Sequence, residues 1–158
     1  MNNRDSSGRF RFLPAFLQPR PTHLSSRLGM ESALCLDDDP LSLRLVEHLL
    51  KKRFRVVSCP SIDRAIEAVR REAIDVFLCD YHLGQEFTGA QAYEILRIKH
   101  GYDPLHRILI TSYPSPEIEA ETLACGFDRV FSKPLRKEFQ AYCLNLRSPG
   151  PARNMRTG

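Results

Sequence analysis

Short apolar runs alternate with longer segments of helical spacing from residue 33 onward. The runs are rich in Val, Ile, Leu or Phe and are too short for helices, so we predict that they are strands. They cover residues 33–36, 55–59, 76–79, 108–111 and 130–132. Strands that alternate with helical segments are typical of βα units, so the pattern predicts a single α/β domain built on a five-stranded parallel sheet.

The segments between these runs place apolar residues on one helical face. The expected core-facing residues are Leu41, Leu45, Leu49 and Leu50 in the first helix, Ile62, Ala65, Ile66, Val69 and Ala73 in the second, and Leu135, Phe139, Tyr142, Cys143 and Leu146 in the fifth. We expect Ser61 to cap the second helix and residues 89–100 to form the third. The fourth helix should begin at Ser115 and Pro116 and end before Gly126, because Pro favours helix starts and Gly favours helix ends.

The positive charge lies at the two ends of the chain. The formal net charge is +4, of which residues 1–30 contribute +4 and the last ten residues contribute +2, so residues 31–148 carry −2. We predict a disordered basic leader at 1–30, a folded domain at 31–148 and a disordered tail at 149–158. An organellar transit peptide, or translated upstream sequence with Met30 as the functional start, are the alternatives for the leader. The arginines lack interleaved aromatic residues and a helix-turn-helix pattern, so we expect no nucleic-acid partner.

The five cysteines are scattered and show neither Cys-x-x-Cys pairs nor metal-ligand spacing. They are Cys35, Cys59, Cys79, Cys125 and Cys143. An odd, unpaired set inside apolar runs predicts buried, reduced thiols. No stretch approaches the roughly 18 apolar residues of a membrane span, and the leader lacks the apolar core of a secretory signal. We therefore expect a cytoplasmic protein without membrane insertion.

Polar residues follow the predicted strands closely. Asp37 and Asp38 come after the first strand, Asp80 after the third, Thr111 at the end of the fourth and Lys133 after the fifth. Because ligands of open α/β sheets bind at the carboxyl ends of the strands, we expect these side chains to converge. Three carboxylates suit Mg²⁺, and a carboxylate beside that ion, a lysine and a hydroxyl is equipped to attack a phosphorus atom.

Four motifs in this order resemble those of response-regulator receiver domains of two-component signalling. They are "LDDD" at 36–39, "LCDYHL" at 78–83, "ILITS" at 108–112 and "FSKP" at 131–134. The resemblance covers about residues 33–147. It implies a flavodoxin-like (βα)5 fold, a three-layer sandwich whose parallel sheet has the strand order 2-1-3-4-5.

The resemblance also implies a role for each site residue. Asp80 would be the phosphoacceptor, charged by the phosphohistidine of a histidine kinase or of a histidine phosphotransfer protein. Thr111 would bond the phosphoryl group, Lys133 would bridge to one of its oxygens, and the bond from Lys133 to Pro134 would be cis. The implied Mg²⁺ ligands are Asp37 through water, Asp38, Asp80 and the backbone carbonyl of His82. Asp39 is interpreted instead as the N-cap of the first helix.

Two departures from the family pattern concern the loop and the switch. Gly84 stands where receivers usually have Pro, and the loop "GQEFTG" is one residue longer. Val130 stands where many receivers have Tyr or Phe. We therefore expect a smaller switch, confined to the loop 111–115 and the fourth helix, with Tyr113 as a candidate substitute ring. The predicted partner surface comprises the fourth helix, the fifth strand and the fifth helix.

Three classes of function are compatible with these residues. The favoured one is a stand-alone, phosphorylation-regulated signalling module that has no separate substrate turnover. A degenerate receiver that binds protein partners independently of phosphorylation is the alternative, although no acid, threonine or lysine of the site is missing. A magnesium-dependent phosphohydrolase is less well supported, because the chain lacks a D-x-D arrangement and a cap-like insertion.

Overall fold

The computed structural model describes residues 30–84 and 87–148. The strands are β1 (Glu31–Leu36), β2 (Phe54–Cys59), β3 (Val76–Asp80), β4 (His82–Leu83), β5 (Phe87–Thr88), β6 (His106–Thr111) and β7 (Arg129–Ser132). The helices are α1 (Pro40–Leu50), α2 (Ile62–Arg71), α3 (Gly89–His100), α4 (Pro116–Ala124) and α5 (Lys137–Leu144). None of these helices has the length and apolar content that a membrane span requires. The predictions of a disordered leader and tail concern residues that lie outside the described ranges.

Five strands form one parallel sheet in the order β2-β1-β3-β6-β7. Because β6 and β7 are the fourth and fifth predicted strands, this is the predicted order 2-1-3-4-5, and the fold class is confirmed. All neighbouring strands are parallel, so their carboxyl ends lie at one edge. The register places Asp80 beside Ile110 and Thr111 beside Ser132. Residues far apart in sequence therefore meet at this edge.

Two hydrophobic clusters form the packing between the sheet and its helices. One cluster lies between the sheet and α2, α3 and α4, and the other between the sheet and α1 and α5. In the first, the Phe77 ring lies 5.7 Å from that of Tyr93 and 6.1 Å from that of Phe127. In the second, Phe131 and Phe139 meet edge to face at 5.4 Å. Helices on both faces of one sheet make the predicted three layers.

The core-facing side of α1 differs from the predicted one. Leu43, Val46 and Leu50 are buried, whereas Leu41 and Leu45 are 72% and 42% exposed. The prediction is confirmed for Leu50 and for Leu49, which packs against the core, and it is wrong for Leu41 and Leu45. The helix has two apolar stripes of helical spacing, and periodicity alone does not distinguish them. The stripe of Leu43, Val46 and Leu50 is the one that packs against the sheet.

Asp39 caps α1, as predicted, and serine or threonine side chains cap α2, α3 and α4. Ser61 caps α2, and Ser115 caps α4 with Pro116 at the first helical position, both as predicted. The start of α3 carries a capping box between Thr88 and Gln91 that the sequence analysis did not identify. These side chains satisfy backbone N–H groups that have no partner inside the helix.

Four cysteines are buried as predicted, and Cys125 is exposed. The prediction of a buried thiol is wrong for Cys125, because it follows α4, a helix that buries only Thr122. Burial raises the pKa of Cys59 to about 11 and that of Cys143 to about 12. These thiols are therefore protonated at neutral pH, as expected of residues that only pack in the core.

Arg53 joins the first strand to the segment that follows α5. Its Nη2 atom lies 3.0 Å from Glu31 Oε2 and 3.4 Å from Ser148 Oγ. Nearby, His106 Nε2 lies 2.9 Å from the carbonyl oxygen of Arg147. Since Glu31 and His106 begin their strands, residues 147 and 148 lie at the amino edge of the sheet, opposite the predicted site.

Candidate functional site

Three carboxylates lie together at the carboxyl edge of the sheet. Asp37 and Asp38 follow β1, and Asp80 ends β3. One oxygen of each carboxylate lies within 4.8 Å of the other two. Asp37 and Asp80 are buried, at 2% and 5% exposure, whereas Asp38 faces solvent. Because Mg²⁺ takes carboxylate oxygens and keeps several waters, a pocket with two buried acids and one open side fits this ion.

Lys133 bridges the two buried carboxylates. Its Nζ atom lies 2.8 Å from Asp37 Oδ2 and 2.8 Å from Asp80 Oδ1. A third contact, at 3.2 Å, reaches Ser42 Oγ on α1. Each of the three N–H donors of the ammonium therefore has an acceptor. The sequence analysis did not identify Ser42, because its contact with Lys133 joins residues 91 positions apart.

Burial and charge shift the pKa values of this cluster. Burial raises the pKa of Asp80 and the charge of Asp37 adds to the shift, whereas the hydrogen bond with Lys133 opposes it. Burial acts to lower the pKa of Lys133, but its bonds to Asp37 and Asp80 outweigh that effect and the pKa is raised. Lys133 is thus charged at neutral pH. One ammonium faces three carboxylates, so a bound cation would offset the remaining negative charge.

Thr111 and the Lys133–Pro134 bond lie next to this cluster. Thr111 is fully buried at the end of β6, and its carbonyl oxygen accepts a hydrogen bond from the Lys133 amide at 2.8 Å. Its hydroxyl oxygen accepts one from the Tyr113 amide at 3.2 Å. The Lys133–Pro134 peptide bond is cis, as the resemblance implies. The roles of these side chains toward a phosphoryl group stay predictions.

His82 contacts the site through its backbone. Its amide donates to Asp80 Oδ2 at 3.0 Å, so the two oxygens of Asp80 are held by different partners. The imidazole is exposed, and its ring lies edge to face with the rings of Tyr81 at 4.8 Å and Tyr113 at 5.6 Å. The use of the His82 carbonyl as a metal ligand stays a prediction.

The loop after Asp80 has a shape that explains the missing proline. β4 and β5 pair in an antiparallel hairpin, which the sequence analysis did not predict. Gly84 has φ 64°. The ring of proline fixes φ near −65°, so proline does not fit at this position. The loop of this chain therefore has a shape that Gly84 permits and that proline at this position would not.

Val130 and Tyr113 occupy different environments. Val130 is half-buried and packs against the cluster that faces α2, α3 and α4. Tyr113, the candidate substitute ring, is 73% exposed. In this structure Tyr113 therefore does not supply a buried ring, and the prediction that it responds to phosphorylation remains to be tested.

Gly89 is a site residue that the sequence analysis missed. A Cβ atom built on Gly89 would lie 2.4 Å from the carbonyl oxygen of Asp80 and 2.9 Å from Leu109 Cδ1. The Gly89 amide also donates to the carbonyl of Tyr81 at 2.7 Å. The first turn of α3 thus touches the backbone of the predicted phosphoacceptor. A glycine at the first position of the predicted third helix was the feature of the sequence that could have indicated this close approach.

Comparisons with known proteins agree with this fold. Sensor protein GacS of Pseudomonas syringae pv. syringae is 31% identical over 140 residues, which are 82% of this chain and only 15% of GacS. Chemotaxis protein CheY4 of Vibrio cholerae has a TM-score of 0.64 at 22% identity, covering 73% of this chain and 96% of CheY4. A response regulator of Burkholderia pseudomallei, solved with a phosphorylated aspartic acid and a calcium ion, has a TM-score of 0.63 at 20% identity, covering 75% and 67%.

A family model identifies the chain itself. The model described as the response regulator receiver domain matches residues 33–140, more than half of the chain. The matched range contains all three clustered carboxylates and Lys133. This protein belongs to the response regulator receiver domain family.

Proposed function

We propose that Asp80 accepts a phosphoryl group from the phosphohistidine of a histidine kinase or a histidine phosphotransfer protein, in a reaction that requires Mg²⁺. The observation that carries this proposal is the buried Asp80 carboxylate, 2.8 Å from Lys133 and within 4.8 Å of two further carboxylates. An Asp80 oxygen forms a bond to phosphorus as the donor's P–N bond breaks, and the electron pair of that bond stays on the imidazole.

The side chains of this domain position the reacting groups. Asp80 presents its two oxygens in fixed directions, because Lys133 holds Oδ1 and the His82 amide holds Oδ2. Lys133 then follows the developing charge onto a phosphoryl oxygen, and the Thr111 hydroxyl donates to another. Such preorganised donors supply most of the catalysis in phosphoryl transfer.

Mg²⁺ would be held directly by Asp38, Asp80 and the backbone carbonyl of His82, and by Asp37 through water. When bound, the ion neutralises charge on the phosphoryl oxygens. The phosphorylated aspartic acid and calcium ion in the Burkholderia pseudomallei protein support this assignment. The similarity to GacS, which is named as a sensor protein, supports a partner from histidine-kinase signalling.

The output of the domain is proposed as a change of one surface. That surface comprises α4, β7 and α5, the elements that the sequence analysis named. A cytoplasmic, stand-alone receiver would signal by docking this surface on a partner or by passing the phosphoryl group onward, without separate substrate turnover. Because Val130 lacks a ring, the change is expected to be confined to residues 111–115 and α4. The degenerate receiver remains the alternative.

Intact-mass measurement tests the proposed function. The protein is incubated with acetyl phosphate or phosphoramidate, with Mg²⁺ or with EDTA. Wild type with Mg²⁺ should gain one phosphoryl group, whereas Asp80→Ala and the EDTA sample should gain none. Asp63→Ala, which removes an exposed acid of α2, is the matched control and should behave as wild type. An equal gain in wild type and Asp80→Ala would refute the proposal.

A further inference from the structure

Helix α4 is attached to the domain by few side chains. It buries only Thr122, whereas α3 buries five of its residues. The Thr122 hydroxyl bonds within the helix, to the carbonyl of Ile118 at 2.6 Å, and Leu123 is 48% exposed. A helix with so little buried area opens at low cost in free energy, so a single additional contact changes its stability measurably.

One such contact comes from the residue that follows the phosphoacceptor. The Tyr81 hydroxyl donates a hydrogen bond to Glu121 Oε2 of α4, with 2.9 Å between the oxygens. The Tyr81 ring is half-buried and packs against the same cluster as Ile118 and Val130. Burial, together with the bond to Glu121, raises the pKa of Tyr81, so the hydroxyl keeps the proton that it donates.

The backbone around Tyr81 is bound on both sides. Its amide donates to the carbonyl of Ile110 at 2.7 Å, and its carbonyl accepts from Gly89 at 2.7 Å. The next amide, that of His82, binds Asp80 Oδ2 at 3.0 Å. Tyr81 therefore lies inside a turn that the Asp80 carboxylate itself closes. Phosphorylation that withdraws this oxygen from the amide would change the turn and displace the Tyr81 hydroxyl.

We propose that the Tyr81–Glu121 hydrogen bond restrains α4 while Asp80 is a free carboxylate, and that phosphorylation of Asp80 releases it. This inference rests on the proposed function and adds the route by which the site controls its surface. Val130 has no aromatic ring that could move together with Thr111. Tyr81 instead connects Asp80 to α4 directly. The route needs the Tyr81 and Glu121 side chains and no movement of β7.

Amide hydrogen exchange of residues 116–124 tests the restraint. It is measured with and without beryllofluoride and Mg²⁺ in wild type, Tyr81→Phe, Glu121→Ala and the double variant. Tyr81→Phe keeps the ring and loses only the hydroxyl. Without beryllofluoride, the α4 amides of each single variant should exchange about five-fold faster than those of wild type. Those of the double variant should exchange no faster than those of the single variants, because each substitution removes the same hydrogen bond. Beryllofluoride should accelerate exchange in wild type alone.

Tyr113→Phe is the matched control. It removes a second hydroxyl at the same edge of the sheet, and α4 should exchange as in wild type. Equal α4 exchange in wild type and Tyr81→Phe without beryllofluoride would overturn the restraint. The release would be overturned if Tyr81→Phe exchanges faster than wild type but beryllofluoride leaves the exchange of α4 in wild type unchanged.

The failure of the proposed function would be recognised separately. The same samples are treated with acetyl phosphate and weighed, and Tyr81→Phe should gain a phosphoryl group as wild type does. If no sample gains mass, the proposed function fails and the release fails with it. The restraint itself is still decided by the exchange rates measured without beryllofluoride.

Discussion

Gly89 shows how much the site depends on a single residue. The first turn of α3 touches the Asp80 carbonyl, and the bond between the Gly89 amide and Tyr81 prevents the two segments from separating freely. An added methyl group would push against the Asp80 carbonyl oxygen as well as the buried Leu109 side chain. The end of β3 would have to move, and the Asp80 carboxylate would move with it.

Gly89→Ala should therefore affect both stability and chemistry. We expect a loss of about 1–3 kcal/mol in the free energy of unfolding, as for other overpacked sites. We also expect phosphorylation about ten-fold slower or more, because a small displacement of a reacting group is costly. Urea unfolding and the rate of mass gain with acetyl phosphate measure the two effects.

Gly126→Ala is the control for this substitution. Gly126 has φ 95°, but no atom lies within 4 Å of a Cβ built there. It should lose about 1–2 kcal/mol because alanine disfavours positive φ. Its phosphorylation rate should remain that of wild type. A wild-type rate in Gly89→Ala would contradict the role assigned to Gly89.

Some site residues could be predicted from the sequence and others could not. Asp37, Asp38, Asp80 and Lys133 could be predicted because each directly follows an apolar run, and the ends of parallel strands meet. Ser42, Tyr81 and Gly89 could not. Their contacts depend on how the helices and a loop approach the sheet, and that approach leaves no spacing in the chain.

At the scale of elements, α1 shows the limit of periodicity. The stripe that contains Leu43 and the stripe that contains Leu41 have similar spacing, and only packing against the sheet decides between them. The strands were predicted well because buried parallel strands are nearly continuous apolar runs. The hairpin of β4 and β5 was missed because strands of two residues are too short to show a pattern.

The corrected face of α1 makes a direct prediction. Leu43→Ala should lower the free energy of unfolding by about 2–5 kcal/mol, because it opens a cavity under the helix. Leu41→Ala, two positions away on the exposed side, should change it by less than about 0.5 kcal/mol. Urea unfolding of both variants gives the comparison. Equal losses would mean that α1 packs through both stripes.

At the scale of the whole molecule, the acidic pocket links ion binding to folding. The unfolded chain does not hold Asp37, Asp38 and Asp80 together, so Mg²⁺ should bind the folded protein preferentially. An ion at one hundred times its dissociation constant then stabilises the fold by about 2.7 kcal/mol.

Urea unfolding with Mg²⁺, compared with NaCl at matched ionic strength, should show this stabilisation in wild type. Asp38→Asn should show much less at the same Mg²⁺ concentration. This variant removes an exposed carboxylate and leaves the buried contacts of Lys133 in place. Identical responses of wild type and Asp38→Asn would exclude Asp38 as a ligand.

The contacts of Arg53 Nη2 show which residues at the two ends of the described ranges lie close together. Nη2 contacts Glu31, at the start of β1, and Ser148, at the end of the described chain. Glu31 and Ser148 are therefore neighbours, and a linker of a few residues would join them. A circular permutant of residues 31–148 closed there and reopened between Gly84 and Phe87 would retain every strand of the main sheet. The order of the elements along the chain is thus separable from the arrangement of the site, because the site needs the strands side by side and not in sequence.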